Sequence, residues 1–134
     1  MALYQITVAS CNHSQVVVAV GVTLYYFEIE AGSLKPVAHT TLPYEVSSVS
    51  VHPLGTDERA HATLCAVGLW TEMSVHLLRL PDLEVVGKEN LGGDVISRSL
   101  LLVSFEGTDY LLCGMGDGHL LSFVLNTVRV PPAL

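Results

Sequence analysis

The side chains best suited to chemistry in this chain are six histidines, at positions 13, 39, 52, 61, 76 and 119, and three cysteines, Cys11, Cys65 and Cys113. A zinc or related metal centre needs several such ligands at Cys-x-x-Cys or His-x-x-x-His spacing, and none of the nine falls into it. His61 and Cys65 are four apart, but they lie on a strand or its entry, where side chains alternate instead of stacking as on a helix. Cys11 and His13 flank a turn, and nothing nearby is placed to orient the imidazole as a base. Asp57-Glu58 reads as a solvated pair in a loop. Gly114-Met-Gly116-Asp-Gly118 imitates a dinucleotide fingerprint, yet His119-Leu-Leu-Ser-Phe123 continues it as a strand. No helix N-terminus then waits for a pyrophosphate, and the glycines read as a hairpin turn. No phosphate-binding Walker sequence occurs. The residues therefore point to no catalytic, cofactor or metal site and to no small-molecule substrate: the chain reads as something other than an enzyme.

Composition narrows the field further. Half of the 134 residues are hydrophobic and 14% are charged, which is too apolar for a disordered chain. Six Lys and Arg against 13 Asp and Glu give a formal charge of −7. Such a surface repels phosphate backbones, so direct nucleic-acid binding is not expected of this segment. The apolar run from Val16 to Phe27 is broken by Gly21 and Thr23 and is shorter than the ~20 residues a membrane-spanning helix requires. Met1-Ala-Leu-Tyr-Gln5 has no basic n-region of a secretory signal. Three widely spaced cysteines fit buried thiols in a reducing compartment better than a disulfide framework, which gives nucleus and cytoplasm as the expected address.

The organising feature is a repeat. Gln15–Phe27, Thr63–Leu78 and Tyr110–Phe123 each hold an apolar run, a glycine and a second apolar run, and the marker glycines Gly21, Gly68 and Gly116 recur at 47 and 48 residues. Strand–turn–strand units at that period are the mark of β-propeller blades. Short β-branched and aromatic runs between turn residues predict eleven strands. The first unit takes Ile6–Cys11, Gln15–Gly21, Thr23–Ile29 and Val37–Leu42; the second, Val46–His52, Thr63–Leu69, Ser74–Leu80 and Glu84–Leu91; the third, Ser97–Phe105, Tyr110–Gly114 and His119–Leu125. Val16–Val20, Thr63–Val67 and Leu111–Cys113 are apolar almost throughout and read as inner strands packed on both faces. The expected fold is all-β: a partial WD-like β-propeller of about three four-stranded antiparallel blades, the last lacking its outer strand. Residues 1–126 form that partial propeller. Residues 127–134, with adjacent prolines at 131 and 132, read as a tail outside the fold, from truncation or splicing.

His52-Pro-Leu-Gly55, Leu64-Cys-Ala-Val-Gly-Leu-Trp-Thr-Glu72, Leu91-Gly-Gly-Asp-Val-Ile-Ser-Arg-Ser-Leu100 and Tyr110-Leu-Leu-Cys-Gly-Met-Gly-Asp-Gly-His-Leu120 occur in that order, preceded by Val8-Ala-Ser-Cys-Asn-His-Ser-Gln-Val-Val-Val-Ala-Val-Gly21. This string resembles the family of the large subunit of the damaged-DNA-binding protein, the adaptor of cullin-based ubiquitin ligases, over nearly the whole chain up to about Asn126. The resemblance implies three seven-bladed propellers in the family, of which this segment looks like about three blades of the central one. It implies a cullin scaffold protein as partner, and a role in ubiquitination and the DNA-damage response. It also implies that the glutamate before the His-Pro-Leu-Gly stretch and the tryptophan of Gly-Leu-Trp-Thr, here Glu45 and Trp70, face the cullin. From the residues alone, Trp70 suits either an interface anchor or packing between blades, and Glu45 suits a solvated turn. Two relatives with the same fold stand as alternatives, the large subunit of the mRNA cleavage and polyadenylation factor and a large splicing-factor scaffold. A non-functional truncated product is a third.

Overall fold

Hairpin signals set the local structure. In the computed structural model, which describes residues 5–55, 61–72, 74–91 and 97–125, the strand-to-strand links within each sheet are short turns, except the longer one from β5 to β6. The strands run β1 (Val8–Cys11), β2 (Gln15–Val20), β3 (Thr23–Glu30), β4 (Ser33–Thr41), β5 (Val46–Ser50), β6 (Leu64–Leu69), β7 (Ser74–Arg79), β8 (Glu84–Asn90), β9 (Ser97–Phe105), β10 (Thr108–Met115) and β11 (Leu120–Val124). These are the eleven expected strands. They form three antiparallel sheets in the orders β1-β2-β3-β4, β5-β6-β7-β8 and β9-β10-β11. The 127–134 tail lies outside the described residues.

Two strands are longer than the sequence suggested. β4 begins at Ser33, four residues before Val37, because Ala31 and Gly32 adopt positive φ and close a tight hairpin. Pro36 is then carried inside the strand, where the register slips between Tyr26 and Phe27. β4 is the outer edge of its sheet, the place a strand tolerates proline. β10 begins at Thr108 for the same reason, since Glu106 and Gly107 make the turn alone.

The middle sheet lies between the other two. Val17, Ala19, Leu24 and Tyr26 of the first sheet share a core with Cys65, Val67, Leu69 and Leu78 of the middle one. Ala66 and Val75 share a second core with Leu100, Leu102, Leu111 and Cys113 of the third. Strand alternation explains the split: odd positions of β6 face one neighbour and even positions the other. This corrects the expectation for the inner strands. β2, β6 and β10 are second in their sheets, outside the innermost β1, β5 and β9. Only β6 is buried on both faces; in β2 and β10 buried residues alternate with half-buried ones. Their second faces have no sheet on them among the described residues.

Each seam carries a specific interlock. Between the first two sheets, Gln15 is buried and its side-chain amide donates to Tyr26 Oη (2.8 Å) and to the Ala62 carbonyl (2.9 Å), while its carbonyl accepts from the Ala62 N–H (2.6 Å) and from Asn12 (2.8 Å). Asn12 also donates to the Val51 carbonyl at 2.8 Å. Between the last two sheets, Ser47 Oγ donates to the Ser97 carbonyl at 3.1 Å. There Gly68 has no room for a side chain: a Cβ would overlap Ser97 Oγ and come within 2.6 Å of Ser48 Oγ.

Two substitutions test these seams in urea unfolding. Gln15→Ala orphans the Ala62 amide and should cost about 1–3 kcal/mol. Gly68→Ala overpacks the second seam and should cost about 1–3 kcal/mol. Gly87→Ala, whose new methyl would meet Leu77 only at ordinary contact distance, 3.6 Å, should stay within about 0.5 kcal/mol of wild type. Equal midpoints for all three would contradict the seams.

Candidate interaction surface

The turns β2–β3, β6–β7 and β10–β11 all leave the same end of the three sheets, and the crossing from β4 to β5 returns there. Backbone hydrogen bonds tie this end together. The Leu42 N–H donates to the Val22 carbonyl (2.8 Å), the Val46 N–H to the Gly21 carbonyl (3.2 Å) and the Trp70 N–H to the Glu45 carbonyl (2.8 Å). Glu45, on the crossing, and Trp70, at the end of β6, are thus brought together by one bond between their own backbones. Val22, Tyr44 and Trp70 remain 36%, 45% and 42% exposed. Glu45 is exposed beside them. Trp70 is therefore not a core residue of either seam.

The charged groups of this end are partly spent internally. Glu72 accepts an ion pair from Lys88, and the hydrogen bond from that ammonium is the first cause holding its carboxyl below the ordinary range. His76 lies behind Glu72, buried, with Nε2 3.9 Å from its carboxylate and no hydrogen-bond partner on either ring nitrogen. Desolvation holds its pKa below the usual 6.5. Asp117 accepts from the His119 N–H at 3.0 Å, which closes the last hairpin. In that hairpin the Met115 N–H donates to the His119 carbonyl at 2.8 Å, so the Gly114–Gly118 motif is a turn between β10 and β11.

At the opposite end the polar seam continues outward, and here sequence reasoning missed the pattern. Tyr26 Oη donates to Glu28 Oε2 at 2.7 Å, and His61 Nε2 pairs with the same oxygen at 3.0 Å. Burial pushes the Tyr26 phenol up to about 12, and the Tyr26 and His61 hydrogen bonds hold the Glu28 carboxyl down. The available signal was Gln15, a polar residue opening an otherwise apolar strand. Cys65 and Cys113 are buried thiols raised by desolvation to about 12 and about 11; Cys11 is exposed, and no hydrogen bond joins it to His13 among the described residues.

Three sheets stacked face to face, with innermost strands β1, β5 and β9 side by side and turns at the ends, are blades of a propeller. Residues 3–131 match the family model described as the RSE1/DDB1/CPSF1 second beta-propeller, and the chain belongs to that family. It is 49% identical to DNA damage-binding protein 1 of Oryza sativa subsp. japonica over 124 residues, 50% identical to DNA damage-binding protein 1b of Arabidopsis thaliana over 125, and 46% identical to DNA damage-binding protein 1 of Solanum lycopersicum over 124. Each match covers 92% of this chain and 11% of the relative, so the chain spans about a tenth of the length of these relatives.

The buried histidine sets an acid limit on stability. Unfolded, His76 regains an ordinary pKa near 6.5, so the unfolded state binds more protons below it. The stabilisation is complete above about pH 6.5 and is lost as pH falls through the lower folded value; Glu28, also depressed, adds a further loss below its ordinary 4.5. The melting temperature should fall from pH 7.5 to 5.5. His76→Leu should flatten that portion of the curve and leave the Glu28 portion intact. An unchanged slope in the variant would remove His76 as the cause.

Proposed function

We propose that this chain is a protein-interaction scaffold segment of a cullin-based ubiquitin-ligase adaptor, acting in ubiquitination and the DNA-damage response in nucleus and cytoplasm, with no catalysis of its own. Its partner is a cullin scaffold protein, held at the hairpin end. The observation that carries the reading is the Trp70–Glu45 backbone bond. It fixes an exposed tryptophan beside an exposed tyrosine and carboxylate on rigid strand ends, the combination of aromatic anchor and charged rim that protein interfaces use. Trp70 is the anchor, and Glu45 assists from the rim. A scaffold in mRNA cleavage or splicing is the alternative, since the matched family description groups RSE1 and CPSF1 with DDB1; the damage-binding relatives favour the ligase adaptor.

Calorimetric titration with the N-terminal region of a cullin tests this, in a chain carrying all the blades of the propeller. Trp70→Ala should lose at least about 2 kcal/mol, roughly thirtyfold in affinity. Glu45→Gln should slow association and weaken its salt dependence while leaving dissociation nearly unchanged. Unchanged affinity for Trp70→Ala, with an unchanged melt, would take the tryptophan out of the interface.

A further inference from the structure

The turn that carries Trp70 is held from two sides. On the inner side the Trp70 N–H donates to the Glu45 carbonyl at 2.8 Å. On the outer side Glu72, two residues further on, reaches past β7 to β8, where its carboxylate is paired with the Lys88 ammonium. Strand register accounts for the reach. Lys88 stands opposite His76 across β7 and β8, and Glu72 Oε2 lies 3.9 Å from His76 Nε2, so the carboxylate sits beside both residues. The Ser74 N–H donates to the Glu72 carbonyl at 2.7 Å and fixes the far end of the turn.

The tryptophan depends on this turn for its place. Its side chain is 42% exposed, and its indole N–H makes no hydrogen bond among the described residues. The other turns of this end are built differently. Gly21-Val22, between β2 and β3, carries no charge. Between β10 and β11, Asp117 Oδ2 lies 2.9 Å from His119 Nδ1, a partner within the same turn. Among the described turns of this end, only that of Trp70 is tied by a charge pair to the outer strand of its sheet.

This pair differs from an ordinary surface ion pair, in which water competes freely for both charges and little is gained. The Lys88 side chain is 49% exposed but that of Glu72 only 23%. Beside Glu72 lies the buried His76, which desolvation keeps uncharged at pH 7.5. At that pH the Lys88 ammonium is the one cation that meets the Glu72 charge among the described residues.

We propose that Lys88 and Glu72 are positioning residues of the interaction surface: their ion pair, made on the outer strand, sets the turn that presents Trp70 to a partner. This role rests on the reading of Trp70 as an anchor and adds that the anchor is held in place before contact. A turn already ordered loses less freedom on binding than one the partner has to order.

Two measurements test it. Trp70 is the only tryptophan of the 134-residue chain, so its emission reads the turn with no partner present. At pH 7.5, quenching by acrylamide should rise in Lys88→Gln and in Glu72→Gln. It should stay at the wild-type value in Lys88→Arg, which keeps the charge, and in Lys35→Gln, whose ammonium pairs with Glu30 in the β3–β4 hairpin. The double variant Lys88→Gln with Glu72→Gln should match either single variant, because the same pair is lost in all three. Unchanged quenching in both single variants would overturn the proposal, and so would two effects that simply add. If Glu72→Gln loses its β circular dichroism, Lys88→Gln, on the exposed outer strand, decides alone. The second measurement is affinity for the N-terminal region of a cullin, in a chain carrying all the blades of the propeller. Lys88→Gln should weaken it about fivefold, less than Trp70→Ala does, and Lys88→Arg should restore it. Weakening by Trp70→Ala with none by Lys88→Gln would overturn this inference and leave the interface reading standing. No weakening by Trp70→Ala would overturn both.

Discussion

A four-stranded antiparallel sheet has two faces and no interior, so Cys65, Val67 and Leu69 on one side of β6 and Ala66 on the other are buried only because a further sheet lies on each side. Face-to-face packing is therefore the constraint on which the remaining features depend. It explains why the first and third sheets keep a half-buried apolar row where the middle sheet has none. It explains why the seams hold the polar devices: an apolar-on-apolar contact can slide, whereas the Gln15 amide accepts only one arrangement of Tyr26, Ala62 and Asn12 around it. The Ser48–Gly68 notch does the same by shape, since it admits Ser97 and leaves no space for a methyl group.

The seams also decide which surfaces of the three sheets stay free. With the faces committed to neighbouring sheets, the free surface consists of outer strands and turns. The turns at the hairpin end are short and cross-tied through Gly21, Val22 and Glu45, so the exposed side chains they carry stand on backbone that is already fixed. The buried polar chain from Gln15 through Tyr26 to Glu28 belongs to the same design: it fixes the angle between two sheets, and hence the spacing of their turns.

Much of this was legible in the sequence, because strand alternation and turn chemistry are local. Eleven strands followed from apolar runs and their punctuation, and the Gly114–Gly118 segment announced itself as a turn by what came after it. What was not legible depended on contacts between sheets. The marker glycines looked equivalent at 47 and 48 residues, yet Gly21 supplies a positive φ to a turn while Gly68 makes room in a seam, and the seam equivalent of Gly68 is Gly114. Full burial was expected of β2 and β10 because their composition matches β6, but composition does not record how many neighbours a sheet has. His76 gave no local sign of being buried, and Gln15, a polar residue opening an apolar strand, did not reveal which groups of the next sheet it would bind. Glu45 and Trp70 stood out by resemblance and by the rarity of tryptophan; that their backbones are bonded required the fold.

Amide hydrogen exchange read strand by strand tests the blade architecture most directly. The account predicts three blocks of slow exchange, centred on β2, β6 and β10 and separated by the sequence repeat, with faster exchange in the exposed outer strands β4 and β8 between them. A single protected block, or protection strongest in β4 and β8, would contradict it.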